Sequence, residues 1–446
     1  MAVSRAVRML TSAALAVASG LAVGGIAGVT ADAGTARVVA PLPVPTPTIP
    51  AGTFSRSDQT RTCELTTAAE LPDHLALAAS IADAETGARL YVEEYDLPVP
   101  TASVMKLVTA VTAFEVLGPD FRFTTTVVPG EREGTVVLVG GGDPTLRSGE
   151  HNFFGGDTAS LAELAKQLPD EEINAVGIDT SLYTGERWHP HWHKSDRAEG
   201  NVAPMTPLML DGGRVHPMAE YSTRTATPET DAGEAFAQRL GTRFDADVQP
   251  RDGAEPLATV ESPPVSELVE VMLLDSDNVI AETLARQVAI ELGVGSDFAA
   301  LQESQTTTLE SLDVDTSGMV AADGSGLAFD NRASVATIDG VLQAIETHPQ
   351  LQELVELLPE NGRSGTLETR MPDLDAGIVT AKTGQTNRAV AIAGWVAGAG
   401  GTRLRFVGIV TAAHPGAEGI VVGRDRPVLD AVVAEAAGCG LQLATP

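Results

Sequence analysis

Residues 100–107 read Pro100-Thr101-Ala102-Ser103-Val104-Met105-Lys106-Leu107. From Ala102 to Val116 the apolar residues recur at helical spacing and Gly118 closes the run, so the pattern predicts a helix with Ser103 in its first turn. Positions i and i+3 of a helix share a face, which brings the Lys106 amine to the Ser103 hydroxyl. A serine hydroxyl is a poor nucleophile at neutral pH unless a base stands within hydrogen-bond reach. Lysine is such a base only when its pKa is lowered, and desolvation, a helix N-terminus and a second cation all lower it.

Two other short stretches complete a set, Ser276-Asp277-Asn278 and Lys382-Thr383-Gly384. S-x-x-K, S-D-N and K-T-G, in this order, are the signatures of class A β-lactamases and penicillin-binding proteins. The chain has four lysines, Lys106, Lys166, Lys194 and Lys382, and two of them fall in these motifs. Lys382 is the candidate second cation. Ser276 would relay a proton toward the leaving amine, and Asn278 would hydrogen-bond the substrate amide. Lys382 and Thr383 on an edge strand would meet a terminal carboxylate, while Gly384 lets a substrate backbone lie close. The backbone N–H groups of Ser103 and Gln385 would form an oxyanion hole.

On these motifs the chain resembles the D-alanyl-D-alanine carboxypeptidase/endopeptidase class of low-molecular-mass penicillin-binding proteins that carry an inserted domain after S-x-x-K. The same class is matched by Ala82-Asp83-Ala84-Glu85-Thr86-Gly87, Gly141-Gly142-Asp143-Pro144-Thr145-Leu146, Asp323-Gly324-Ser325-Gly326-Leu327 with Asn331-Arg332, and Gly365-Thr366-Leu367. The resemblance implies an α+β fold of the penicillin-binding/serine β-lactamase type, a five-stranded antiparallel sheet flanked by helices, with an inserted β-rich domain. It also implies a Ser103 acyl-enzyme formed on peptidoglycan stem peptides ending in D-alanine, inhibition by β-lactams, and no cofactor or metal. One departure stands out. The class usually follows K-T-G with threonine or serine, where this chain has Gln385, and Arg388 is the candidate replacement contact to substrate. The interval between Ser103 and Ser276 is short for a class that can carry two insertions, so one is expected.

Two rival readings remain at this stage. A class A β-lactamase would need a deacylating glutamate with asparagine four residues on, but Glu310 is followed at that spacing by Val314. A non-catalytic penicillin sensor would not need the intact Lys106, Ser276 and Asn278.

Further from the motifs, residues 75–82 and 88–94 read as two strands joined by Glu85-Thr86-Gly87. Strands at 378–382, 389–396 and 403–411 and a final helix over 426–436 follow the last motif. Two strands at the start and three at the end suggest one antiparallel sheet built from both ends of the chain. The middle, 119–262, has short strand-like runs such as 135–139, turn clusters and one helical segment near 161–168, and reads as the inserted domain. The catalytic domain would then comprise 63–118 and 263–446. Asp323-Gly324-Ser325-Gly326 reads as a structural turn near the site.

Residues 1–33 have the layout of a signal peptide or N-terminal anchor: Arg5 and Arg8, an apolar stretch, then Ala31-Asp32-Ala33. A Pro-rich linker occupies 34–62. Both readings place the body outside the cytoplasm, secreted, wall-associated or membrane-anchored at the outer face. In that compartment Cys63 and Cys439, the chain's two cysteines, are expected to pair. The net charge of −31, from 60 acidic and 29 basic residues, excludes a nucleic-acid partner by repulsion of phosphates. In Trp188-His189-Pro190-His191-Trp192-His193 an extended backbone would put three histidines on one face, a pattern that invites a metal reading but that a solvated histidine edge on the inserted domain explains equally well.

Overall fold

The computed structural model describes residues 62–155, 158–414, 417 and 419–443. The signal or anchor and almost all of the linker lie outside these residues. Leu75–Asp83 (β1) and Arg89–Glu93 (β2) form the predicted hairpin. Its turn is fixed by the Asp83 carboxylate, which accepts the Glu85 amide (3.0 Å) and the Thr86 hydroxyl (2.6 Å), and by Gly87 at φ +71°. The chain then makes a single 3-10 turn, Ala102–Val104, and enters the α-helix Met105–Val116. Ser103 therefore precedes the α-helix instead of lying in its first turn. The three-residue step to Lys106 survives because the tighter turn carries it.

Residues Thr124–Pro129 (β3), Thr135–Val139 (β4), Ala175–Asp179 (β5), Arg243–Phe244 (β6) and Ala258–Glu261 (β7) form a second sheet in the order β6-β5-β4-β3-β7. Pairs β4-β5 and β5-β6 are parallel, which demands crossover connections. The predicted helix Leu161–Gln167 supplies the first crossover, and a helix that the sequence reading misses, Pro228–Leu240, supplies the second. This region is thus a mixed α/β sheet, richer in helix than expected. The missed helix has few buried apolar residues, chiefly Ala232, Phe236 and Ala237. It carries Gly233 where a Cβ would stand 2.6 Å from Phe244.

Helices Val265–Leu274, Asn278–Glu291, Phe298–Ser311 and Val335–Thr347 follow. Val379–Gln385 (β8), Ala389–Gly398 (β9) and Thr402–Ala412 (β10) then complete the first sheet, order β2-β1-β10-β9-β8, antiparallel throughout. Period-two alternation in β9 sends Ala389, Ala391, Ala393 and Trp395 into the core beneath the Met105–Val116 helix. Val390, Ile392 and Val396 enter the core on the other face, beneath the terminal helix Val422–Cys439. Covering on both faces explains why these strands read as continuous apolar runs. The terminal helix is joined to the start of the described chain by the Cys63–Cys439 disulfide. Among the described residues no helix is long and apolar enough to cross a membrane.

Candidate active site

Ser103, Lys106, Asn278 and Ser325 meet at the N-terminal end of the Met105–Val116 helix. The Lys106 amine donates to Ser103 Oγ (3.1 Å), Asn278 Oδ1 (2.6 Å) and the Ser325 carbonyl (2.8 Å). Lys106 is fully buried. Burial lowers its pKa to about 8 against the opposing pull of Asp323, Asp277 and Glu282. A fully desolvated amine hydrogen-bonded to a serine hydroxyl is the pairing that makes serine nucleophilic.

Ser276 and Lys382 form a second pair beside the first. The Lys382 amine donates to Ser276 Oγ (3.0 Å) and to the Thr383 carbonyl (2.7 Å). Burial, then the charges of Lys106 and Arg370, lower the Lys382 pKa well below the ordinary lysine value; the lowering at Lys106 comes from burial, not from the second cation the sequence suggested. Ser276 takes φ +57°, a left-handed conformation that costs a non-glycine residue energy and here turns its hydroxyl toward Lys382. The Thr383 hydroxyl donates to that of Thr366 (2.7 Å), in the Gly365-Thr366-Leu367 stretch.

Strand β8 lies at the sheet edge against the Ser103 turn. A Cβ on Gly384 would stand 2.8 Å from the Ser103 amide nitrogen, so only glycine allows strand and turn this approach. Gln385 and Arg388 are exposed just beyond. The Arg388 guanidinium rests on the Phe329 ring, 4.6 Å from its centre. Asn278 differs from expectation in one respect: its Oδ1 accepts from Lys106 and its Nδ2 donates to the Asn201 carbonyl (3.0 Å).

Several residues outside the motif chemistry support the site. Asp277 caps the Asn278–Glu291 helix by accepting the Val279 (2.8 Å) and Ile280 (3.0 Å) amides. Its other oxygen faces Arg214 (3.1 Å) and Arg224 (3.9 Å), all three side chains being buried. Burial alone would raise the Asp277 pKa, but the two guanidiniums outweigh it and hold the carboxyl below its ordinary value. Asp323 gathers the amides of Ser325, Gly326 and Ala328, the Asn331 amide and the Trp192 indole N–H. The turn expected to be structural therefore also supplies the Ser325 carbonyl to Lys106. Glu282 accepts the Gly324 amide (3.0 Å); burial, then the neighbouring Asp323, push its pKa to about 8. Motif spacing carries no signal for Arg214 or Arg224, which are remote in sequence.

The Trp188–His193 segment is a series of turns, not an extended strand. His189 and Trp192 are buried, and His193 turns away to contact Ser195 (2.7 Å). Glu310, the residue weighed for a β-lactamase role, is exposed and accepts the Thr316 hydroxyl (2.8 Å).

The family model described as D-Ala-D-Ala carboxypeptidase 3 (S13) matches residues 64–224 and 218–420. The chain belongs to this family. It is 38% identical over 385 residues to carboxypeptidase DacB of Mycolicibacterium smegmatis, covering 83% of this chain and 82% of that one. It is 29% identical to a D-alanyl-D-alanine carboxypeptidase of Actinomadura sp., covering 75% of this chain and 77% of the other. Its fold is similar to that of penicillin-binding protein 4 (dacB) from Haemophilus influenzae, with TM-score 0.70 at 19% identity over 83% of this chain and 97% of that one. The S13 chain is accordingly a serine-type D-alanyl-D-alanine carboxypeptidase of the low-molecular-mass penicillin-binding class. A second structure of the Haemophilus protein, TM-score 0.63, holds a β-lactam.

Proposed function

We propose that Ser103 is the nucleophile of this carboxypeptidase and Lys106 its base. The three-way contact of the buried Lys106 amine with Ser103, Asn278 and Ser325 carries the reading. In the neutral form the Lys106 amine takes the Ser103 proton as Oγ bonds to the carbonyl carbon of the penultimate D-alanine. The oxyanion is held by the Ser103 and Gln385 amides. The proton taken up by Lys106 passes on through Ser276, coupled to Lys382, to the departing nitrogen as the C–N bond breaks, which returns the Lys106 amine to its neutral form. D-Alanine leaves and a Ser103 ester remains. Water, deprotonated by the same amine, hydrolyses the ester and frees the stem peptide. Lys382, Thr383, Gly384, Gln385 and Arg388 form the wall against which the terminal carboxylate lies, the cations giving it charge-assisted hydrogen bonds.

Residues 63–118 and 263–446 form the catalytic domain and 119–262 the inserted one, a division supported by the two separate sheets. The Arg5 and Arg8 N-terminus, the apolar stretch after it and the disulfide support an exported protein acting on peptidoglycan at the outer face. β-Lactams acylate the same serine.

The test is release of D-alanine from a peptide ending in D-Ala-D-Ala, with a cross-linked peptide dimer in parallel to measure endopeptidase cleavage. Wild type is expected to release D-alanine and Ser103→Ala to release none. Release by both proteins at equal rates would remove Ser103 from the mechanism.

A further inference from the structure

Beside the catalytic residues lies a second cluster of ligating side chains that the peptidase chemistry does not use. One ligand atom each from His189, His191 and Asp330 lies within 4.8 Å of the other two. The histidines belong to the turns of 188–193, whereas Asp330 belongs to the loop that runs on from Asp323. Spacing along the chain does not join Asp330 to the histidines. We propose that His189, His191 and Asp330 bind a divalent transition-metal ion of the zinc type, which ties the 188–193 segment to the loop holding Asp323.

The donor set fits the ion. Two imidazoles and one carboxylate are a borderline nitrogen–oxygen set of three, which zinc accepts with its fourth position left to water. Zinc bonds of ~2.0–2.1 Å separate tetrahedral ligand atoms by roughly 3.3–3.4 Å. His191 Nδ1 and Asp330 Oδ2 already stand 2.8 Å apart, so a small separation of this pair and an approach by His189 complete the geometry. Ion capture exchanges two protein contacts for metal bonds, the His191–Asp330 pair and the 3.1 Å contact of the His191 amide with His189 Nδ1.

The rings are already held in place. His189 is buried and meets Phe298 edge-on, centroids 4.7 Å apart, while His191 stacks on Phe329 at 4.3 Å. The second oxygen of Asp330, Oδ1, is buried and accepts no hydrogen bond from the described residues. It is a donor atom without other employment.

The position gives the ion a consequence. Trp192, next to His191, donates its indole N–H to Asp323 (2.8 Å). Asn331, next to Asp330, donates to the same carboxylate (2.9 Å). A metal bridging His191 and Asp330 would therefore brace two of the residues that hold Asp323, those whose side chains donate to it, and Asp323 orders the Ser325 turn under Lys106.

Cobalt(II), which replaces zinc and absorbs visible light, provides the test. The purified full chain is stripped with a chelator, titrated with Co2+ and back-titrated with Zn2+. The expected result is one equivalent of Co2+ with visible bands of a nitrogen–oxygen tetrahedral or five-coordinate site, all displaced by Zn2+. His191→Gln and Asp330→Asn should each weaken Zn2+ at least as much as the ~10–100-fold that loss of an outer-shell partner costs. His193→Gln should leave affinity unchanged. Stoichiometric labelling by penicillin confirms that each variant is folded. No cobalt spectrum in the wild type, or affinity lost in His193→Gln and kept in the other two, overturns the assignment.

Discussion

The Lys106 ammonium has three protons, and three acceptors surround it: Ser103, Asn278 and Ser325. In that state it holds the Ser103 hydroxyl but cannot take its proton. It becomes a base only after losing a proton, and burial lowers its pKa to about 8. The sign follows directly: below that pH the amine is charged and acylation is slow, and the rate climbs as pH rises through about 8. Lys382 and Glu282 titrate in the same buried neighbourhood, so the apparent value belongs to the group of them. The rate constant for penicillin acylation, measured from acid to alkaline pH, should show this acidic limb. Lys106→Arg, which keeps the charge but does not deprotonate, should lose about 10²–10⁴-fold and have no limb. A wild-type profile flat across this range would remove Lys106 as the base. At this scale much of the site is legible in the sequence, because S-x-x-K, S-D-N and K-T-G name side chains whose chemistry depends on residue type. The Ser325 carbonyl is not legible, since any residue has one and only the fold aims it.

Between residues and the whole stands the helix Asn278–Glu291, which presents Asn278 to Lys106 from its first turn. Its N-cap, Asp277, is buried against Arg214 and Arg224, two cations from the 119–262 region. The middle residue of S-D-N thus anchors the motif to the region containing the second sheet, while its neighbours face the site. Removing one partner of a buried ion pair leaves an uncompensated charge and costs about 3–5 kcal/mol. Arg214→Met should lower the urea midpoint of unfolding by a corresponding amount and weaken acylation through a displaced Asn278. Unchanged stability and acylation would show that Arg224 alone suffices. The elements themselves were unevenly legible. Strands β1, β2 and β8 to β10 are apolar runs bounded by turn residues and fall within a few residues of expectation. The Pro228–Leu240 helix was missed because its buried face is short and Gly233 interrupts it. In Trp188–His193 the alternation of six residues does not make a strand, because Pro190 favours a turn.

At the scale of the molecule, the first sheet is assembled from both ends of the described chain, with Leu75 of β1 opposite Ala412 of β10. Pairing so distant in sequence carries a large loop-closure cost. The disulfide Cys63–Cys439, spanning 376 residues, reduces it by constraining the unfolded chain. Replacing both cysteines with serine should cost about 2–5 kcal/mol, read as a lower melting temperature with acylation retained at ambient temperature. A double variant that melts like wild type would mean that strand pairing alone secures the ends. The pairing of first and last strands was legible because strand candidates cluster at the two ends and the cysteines flank them. The parallel order of the second sheet was not, since five short runs permit many arrangements and crossover helices had to be seen to choose among them.

The central claim is that Ser103 forms the covalent bond to substrate. The most direct measurement is the mass of the tryptic peptide 90–106, bounded by Arg89 and Lys106, after the full chain has been exposed to penicillin. The account predicts that the whole adduct mass appears on this peptide, at Ser103, and that none appears in Ser103→Ala. An adduct on another peptide, or a protein left unmodified at saturating penicillin, would contradict it.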